Sequence, residues 1–205
     1  MKNIVYNFVV FVLFSLPIIG QEVTNKRVTF GINAGVNRSF MVGQSNQTQS
    51  SFLTTTDRVG FNLGILSDIQ LKKRFYISPR AELYLNNAEY QLANNFVYYQ
   101  QRIRPQSLEF KTYFTFFRNP SGTSPYIFGG PNFRFAINTT NTPTLWPAIN
   151  DLTLDLGVGL RNSLKHVNFS PEIRYSFGFK SLSIDPAVDF IRMHSIQLVF
   201  NLSER

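Results

Sequence analysis

From Val28 onward, apolar and polar residues take turns along the chain, and this alternation returns in eight separate stretches. In the first, Val28, Phe30, Ile32, Ala34 and Val36 alternate with Thr29, Gly31, Asn33, Gly35 and Asn37. A period of two marks an extended strand, because successive side chains leave it on opposite faces. Each stretch therefore has one greasy face and one polar face. The second sets Val59, Phe61, Leu63, Ile65, Ile69 and Leu71 against Gly60, Asn62, Gly64, Asp68 and Gln70. In the third, Phe75, Ile77, Ala81, Leu83 and Leu85 oppose Tyr76, Ser78, Arg80, Glu82 and Tyr84. The fourth sets Leu108, Phe110, Phe114 and Phe116 against Ser107, Glu109, Lys111, Tyr113 and Thr115. The fifth carries Ile127, Phe133, Phe135 and Ile137 opposite Tyr126, Phe128, Gly130, Asn132 and Arg134. The sixth pairs Leu152, Leu154, Leu156, Val158 and Leu160 with Thr153, Asp155, Gly157, Gly159 and Arg161. In the seventh the polar face holds Asn168, Ser170, Glu172, Arg174, Ser176 and Gly178. The eighth ends on Ile196, Leu198, Phe200 and Leu202, with residues 190–194 at its start ambiguous in phase.

The links between stretches alternate in length. Long polar ones cover 40–56, 86–101, 138–150 and 180–188, and short ones cover 72–74, 118–123 and 165–166. Long loops on one side, with tight turns and both termini on the other, are the plan of a transmembrane barrel. Segments of about ten residues also match a tilted strand crossing a bilayer. The expected fold is all-β: an eight-stranded antiparallel up-and-down transmembrane β-barrel. Ser78-Pro79 and Ser170-Pro171 predict a bulge or a local interruption in two strands, since proline cannot donate to a ladder.

A soluble lipocalin-like barrel has the same period, so the direction of each face has to be argued. The charges on the polar face are Asp68, Glu82, Glu109, Asp155 and Glu172 against Arg80, Lys111, Arg134, Arg161 and Arg174, with glycines between them. Equal numbers of both signs among small residues describe a narrow interior of paired ions, which puts the Phe, Leu and Ile face toward lipid. An eight-stranded barrel with that face turned inward has room only for the side chains or one small ligand.

Residues 4–19 are almost unbroken apolar sequence after Lys2, and Gly20-Gln21-Glu22 turns polar. This reads as a signal peptide over 1–20, cleaved near Gly20, leaving a barrel domain at 21–205. The run is short for a membrane anchor, and with no cysteine in the chain it cannot become a lipoprotein. The formal charge is +8, or +7 without Lys2. Such a balance fits a nucleic-acid binder, but an exported chain meets no genome, and a neutral interior moves the excess into loops, turns and termini.

Candidate chemistry is sparse. His166 falls in a turn, and His194 adjoins Ser195. Neighbours on one strand point to opposite faces, so that pair does not make a base and a nucleophile. Without cysteine or paired histidine, no metal and no cofactor is expected. Gly157-Val158-Gly159 lacks the third glycine and the helix of a dinucleotide motif, so it reads as structural. Asp155 with Glu172, and Glu82 with Glu109, are carboxylate pairs of the kind that does acid–base work, but each has basic partners on its own face, and ion pairing is the expected role. No enzyme activity is expected. Tyr90, Tyr98, Tyr99 and Trp146 lie beside strand ends, where amphipathic rings favour the membrane interface or a partner.

Several stretches carry a family likeness: Phe30-Gly31-Ile32-Asn33-Ala34-Gly35-Val36-Asn37, Gly60-Phe61-Asn62-Leu63-Gly64, and Phe75-Tyr76-Ile77-Ser78-Pro79 leading to Glu82-Leu83. Later ones are Tyr126-Ile127-Phe128-Gly129-Gly130, Asp155-Leu156-Gly157-Val158-Gly159, and Phe169-Ser170-Pro171-Glu172-Ile173-Arg174-Tyr175-Ser176. With these the chain resembles the PorT-like outer-membrane barrels of the Bacteroidota. The resemblance implies an integral protein of the cell outer membrane with periplasmic termini, a structural or interaction component linked to type IX protein secretion. Its implied partners are outer-membrane lipid and secretion-machinery or periplasmic proteins, and no nucleic acid. The alternatives are a surface-binding or adhesion barrel of the OmpA/OmpX kind and, third, a lipid-modifying barrel enzyme.

Overall fold

The alternating stretches become long strands in the computed structural model, which describes the backbone of residues 27–45, 52–56, 58–85, 89–94, 97–102, 106–119, 122–137, 150–180 and 188–205. In chain order these are β1 (Val28–Ser45), β2 (Phe52–Thr56), β3 (Arg58–Lys72), β4 (Phe75–Leu85), β5 (Glu89–Asn94) and β6 (Val97–Arg102). They continue with β7 (Gln106–Phe117), β8 (Ser124–Ala136), β9 (Asp151–Ser163), β10 (Val167–Gly178) and β11 (Val188–Glu204). Eight of them, in the order β1-β11-β10-β9-β8-β7-β4-β3, close into a barrel. The seam is antiparallel like every other pair, with Gly31 opposite Ser203 at one end and Val42 opposite Arg192 near the other. Closure leaves the barrel wall without an open edge. The tight turns after β3, β7 and β9 lie at the same end as Arg27 and Arg205, here called the turn end; the other is the loop end.

Two of the links expected as loops hold structure of their own. β1 runs on to Ser45, and β2 joins the β5–β6 hairpin in a three-stranded sheet of order β2-β5-β6. These long polar links read as loops because they lack the eight stretches' sustained alternation, yet their backbones pair. The side chains of Tyr90, Tyr98 and Tyr99, together with Trp146 and residues 1–20, where a signal peptide is expected, lie outside the described residues.

Prolines interrupt the ladders without shifting them. Between β3 and β4 the partners jump from Leu66 opposite Arg80 to Ile69 opposite Ile77, which skips Pro79 at unchanged register. The same gap surrounds Pro171 between β9 and β10, and Pro131 between β7 and β8. A missing N–H costs a ladder bond, but no extra residue is inserted, so these are interruptions and not bulges.

The two faces separate by burial. Leu63, Ile65, Ile127 and Val158 on the outside are each more than half exposed, whereas Glu82, Glu109, Asp155 and Arg174 on the inside are fully buried. An apolar exterior around a charged interior inverts the ordinary globular arrangement.

Candidate functional site

The lumen is the chemically distinctive part of the molecule, and alternation puts its side chains there. All ten charged residues of the polar face stand inside it. Seven form one continuous chain of alternating sign. Arg80 grips Glu172 with two nitrogens at 2.8 and 2.9 Å. Glu172 also receives Arg174 Nε at 2.8 Å, and Arg174 reaches on to Glu82 at 2.7 Å. Lys111 Nζ then bridges Glu82 at 2.6 Å and Glu109 at 2.9 Å, and Glu109 meets Arg134 Nε at 2.7 Å. Arg161 and Asp68 make a separate pair at 2.7 Å nearer the turn end, with Asp68 also accepting from Ser78 at 2.6 Å. Among the described residues Asp155 has no cation in hydrogen-bond contact; it accepts from Tyr113 at 2.6 Å, Thr153 at 3.1 Å and Asn132 at 3.2 Å.

Neighbours across the wall explain only part of this pattern: Glu109 lies directly opposite its partner Arg134, and Lys111 reaches Glu82 on the adjoining strand. On β4 and β7, Arg80 lies opposite Lys111 and Glu82 opposite Glu109, so directly paired positions carry like charges. That arrangement is unfavourable in an open sheet. It is tolerated because Glu172 and Arg174 of β10 reach across the lumen to Arg80 and Glu82, and Lys111 sits between Glu82 and Glu109. Buried ions of this kind are costly unless paired and hydrogen-bonded; Glu82 and Glu172 meet both conditions, whereas among the described residues Arg134 has its ion pair to Glu109 without a hydrogen bond. Asn33 and Asn62 fill the remaining lone pairs of Glu82 at 2.9 and 3.2 Å, and Tyr126 donates to Glu172 at 2.7 Å.

Aromatic rings complete the filling. Tyr113, Phe117, Tyr126 and Phe128 pack inside the barrel, with Tyr76 against them. Guanidinium groups lie over these rings: Arg161 is 4.0 Å from the centre of Phe117 and Arg80 is 4.8 Å from that of Tyr113. Gly157 and Gly159 make room for this cluster. They sit opposite Phe128 and Tyr126 on β8, and a Cβ at either position would lie 2.3 Å from a ring carbon. Gly159→Ala is therefore expected to destabilise the barrel by about 1–3 kcal/mol through overpacking. Thermal unfolding in detergent checks this, and Tyr126→Leu in the same chain should recover part of the loss.

Among the described residues, the lumen beside the ion pairs holds little space. A lumen cavity bounded by Asp68, Arg80, Arg161 and Glu172 has a volume of about 10 Å³, room for roughly one water molecule. The carboxylates singled out for acid–base work are engaged: Lys111 holds both Glu82 and Glu109, and two arginines hold Glu172. His194 and Ser195 point to opposite sides of the wall, the imidazole outward against Tyr175 and the hydroxyl inward near Gln197. His166 is exposed in its turn. The polar face also includes residues that charge counting overlooked. Asp151, buried at the first position of β9, lies opposite Arg134. Leu66, Phe117, Met193 and Val199 are apolar yet face inward; only their parity within the strand reveals this, because their chemistry matches the outer face.

Comparisons with known proteins agree with this architecture. Residues 19–183 match the family model described as outer membrane protein beta-barrel domain. Among solved structures, Neisserial surface protein A superposes with a TM-score of 0.53 at 11% identity, covering 85% of this chain and 96% of the other. The outer membrane protein OprG from Pseudomonas aeruginosa gives a TM-score of 0.51 at 10% identity, covering 86% and 93%. A comparison with curated proteins finds no match. At such identities the structural likeness speaks for the fold.

Proposed function

Since the chain belongs to the outer membrane protein beta-barrel domain family and is an integral barrel of the outer membrane, we propose that it serves as a non-conducting anchor that docks partner proteins at its rims. The termini and short turns face the periplasm in this reading, and the long links face outward. The observation that carries it is the lumen, where among the described residues a seven-residue ion chain and a ring cluster fill the interior and border a cavity of about 10 Å³. A filled barrel has its ends and its lipid surface to offer. The loop end carries the β2-β5-β6 sheet, whose outer strands β2 and β6 each have one side unpaired among the described residues. Open strand edges accept an extended partner segment through main-chain hydrogen bonds.

The partners in this proposal belong to type IX protein secretion, on the strength of the resemblance to PorT-like barrels. Catalysis has no part in it, and neither does a cofactor or nucleic acid. Deleting the gene, restoring it on a plasmid and comparing proteins in the medium and on the cell surface tests the role. Exported cargo should collapse on deletion and return with the plasmid. Unchanged export removes the secretion link; loss of surface attachment with normal export instead supports an adhesion barrel, the second reading, which the sheet at the loop end favours.

A further inference from the structure

Among the described residues, the outward positions of the barrel wall are uncharged except at the two ends. Arg118 and Glu204 stand at the turn end, and Arg38 and Arg192 at the loop end. The latter two frame one strip across the β1–β11 seam. Arg38 lies opposite Ile196, Arg192 opposite Val42, and Phe40 opposite His194 between them. The His194 imidazole is only 6% exposed, although it faces away from the lumen. It stacks on Phe40 at 5.7 Å between ring centres, meets the edge of Phe177 at 4.8 Å, and places Nδ1 3.0 Å from the Tyr175 hydroxyl.

The chemistry of this strip changes abruptly along the strands. Toward the middle of the barrel the outward residues on the same two strands are Val36, Ile32, Ile196, Leu198 and Phe200, all apolar and exposed. An arginine facing lipid is costly at the bilayer midplane and nearly free at the interface, so Arg38 and Arg192 mark the headgroup level. Aromatic rings with a polar edge belong in the same layer. A molecule filling the strip must combine a head that satisfies guanidinium groups with a greasy body, and a guanidinium matches phosphate oxygens in a two-pronged geometry. Free phosphate lacks the body, and an ordinary protein surface lacks the depth.

We propose that the strip binds the phosphate of a membrane lipid in the leaflet at the loop end. Arg38 and Arg192 are the cationic contacts, Tyr175, whose hydroxyl is held at His194, supplies a further donor beside them, and the acyl chains lie along the apolar wall beneath. Both arginines also have interactions within the chain.

The test is native mass spectrometry of the whole barrel refolded in a neutral detergent and offered diphosphoryl lipid A, the same lipid stripped of its phosphates, or inorganic phosphate. The diphosphoryl lipid should stay bound, the stripped lipid should wash off, and millimolar inorganic phosphate should not displace the bound lipid. The double variant Arg38→Gln with Arg192→Gln should bind about thirty-fold more weakly, which corresponds to about 1 kcal/mol for each arginine near a membrane surface. Arg118→Gln, at the opposite end, should bind as the parent does. Equal retention of the stripped lipid by the parent barrel overturns the proposal without any variant having to fold. So does undiminished binding by the double variant, and displacement by inorganic phosphate would make this a free-anion site instead.

Discussion

Glu82→Gln is expected to destabilise the barrel by about 3–5 kcal/mol, the range found when one partner of a buried ion pair is removed. Glu82 is fully buried and receives four donors, from Lys111, Arg174, Asn33 and Asn62. Glutamine keeps the shape but withdraws the charge that both cations share, and it aims an N–H₂ group at donors. Urea unfolding of the protein in phospholipid vesicles, followed by circular dichroism, measures the loss. Lys165→Gln, in an exposed turn, should stay within about 0.5 kcal/mol of the parent. Adding Lys111→Met to Glu82→Gln should recover more than 1 kcal/mol, roughly the coupling expected of residues in one network. If Glu82→Gln costs less than about 1 kcal/mol, water reaches the network and screens it far more than a cavity for one water would allow.

The second large effect concerns the other face. Val158 lies near the middle of β9 and is 54% exposed, with Ile127 and Ile173 beside it on the neighbouring strands. Val158→Arg should cost about 2–4 kcal/mol in a bilayer, because a charge at the midplane has neither water nor headgroup to meet. Leu164→Arg is the matched control. Leu164 is almost equally exposed, at 53%, but it stands at the turn end, where the cost should fall to about 0–1 kcal/mol. The same vesicle unfolding reads both. Equal costs at the two depths would remove the assignment of the apolar face to the lipid.

The division into inside and outside was legible from single strands. Parity alone placed Asp68, Arg80, Glu82, Glu109, Lys111, Arg134, Asp155, Arg161, Glu172 and Arg174 on one side of the wall, because a strand has only two faces. Which ion meets which was not legible. Arg80 meets Glu172 and Arg174 meets Glu82, each 92 residues away across the lumen, while the residue directly opposite Arg80 in the ladder is another cation. Barrel stagger decides such cross-lumen meetings, and no local pattern records it. The packing of Tyr126 and Phe128 over Gly159 and Gly157 was hidden for the same reason: glycine in a strand signals closeness without saying to what. The sheet made by β2, β5 and β6 escaped because its strands are only five or six residues long and fall in polar links, too short a stretch for a period of two to stand out.

The separation between ion partners also fixes how the barrel can come into being. Arg80 and Glu172, Arg174 and Glu82, and Arg161 and Asp68 each join the first half of the chain to the last third. A hairpin of β3 and β4 entering a bilayer alone would carry Asp68, Arg80 and Glu82 across with none of these partners present. Stepwise insertion, hairpin by hairpin, thus meets its highest barrier at the beginning, whereas a chain that closes as it enters neutralises every charge in the same event. The lumen network acts as a checkpoint on assembly: an incomplete barrel is penalised until β10 has reached β4, so the finished wall and its charge balance arrive together.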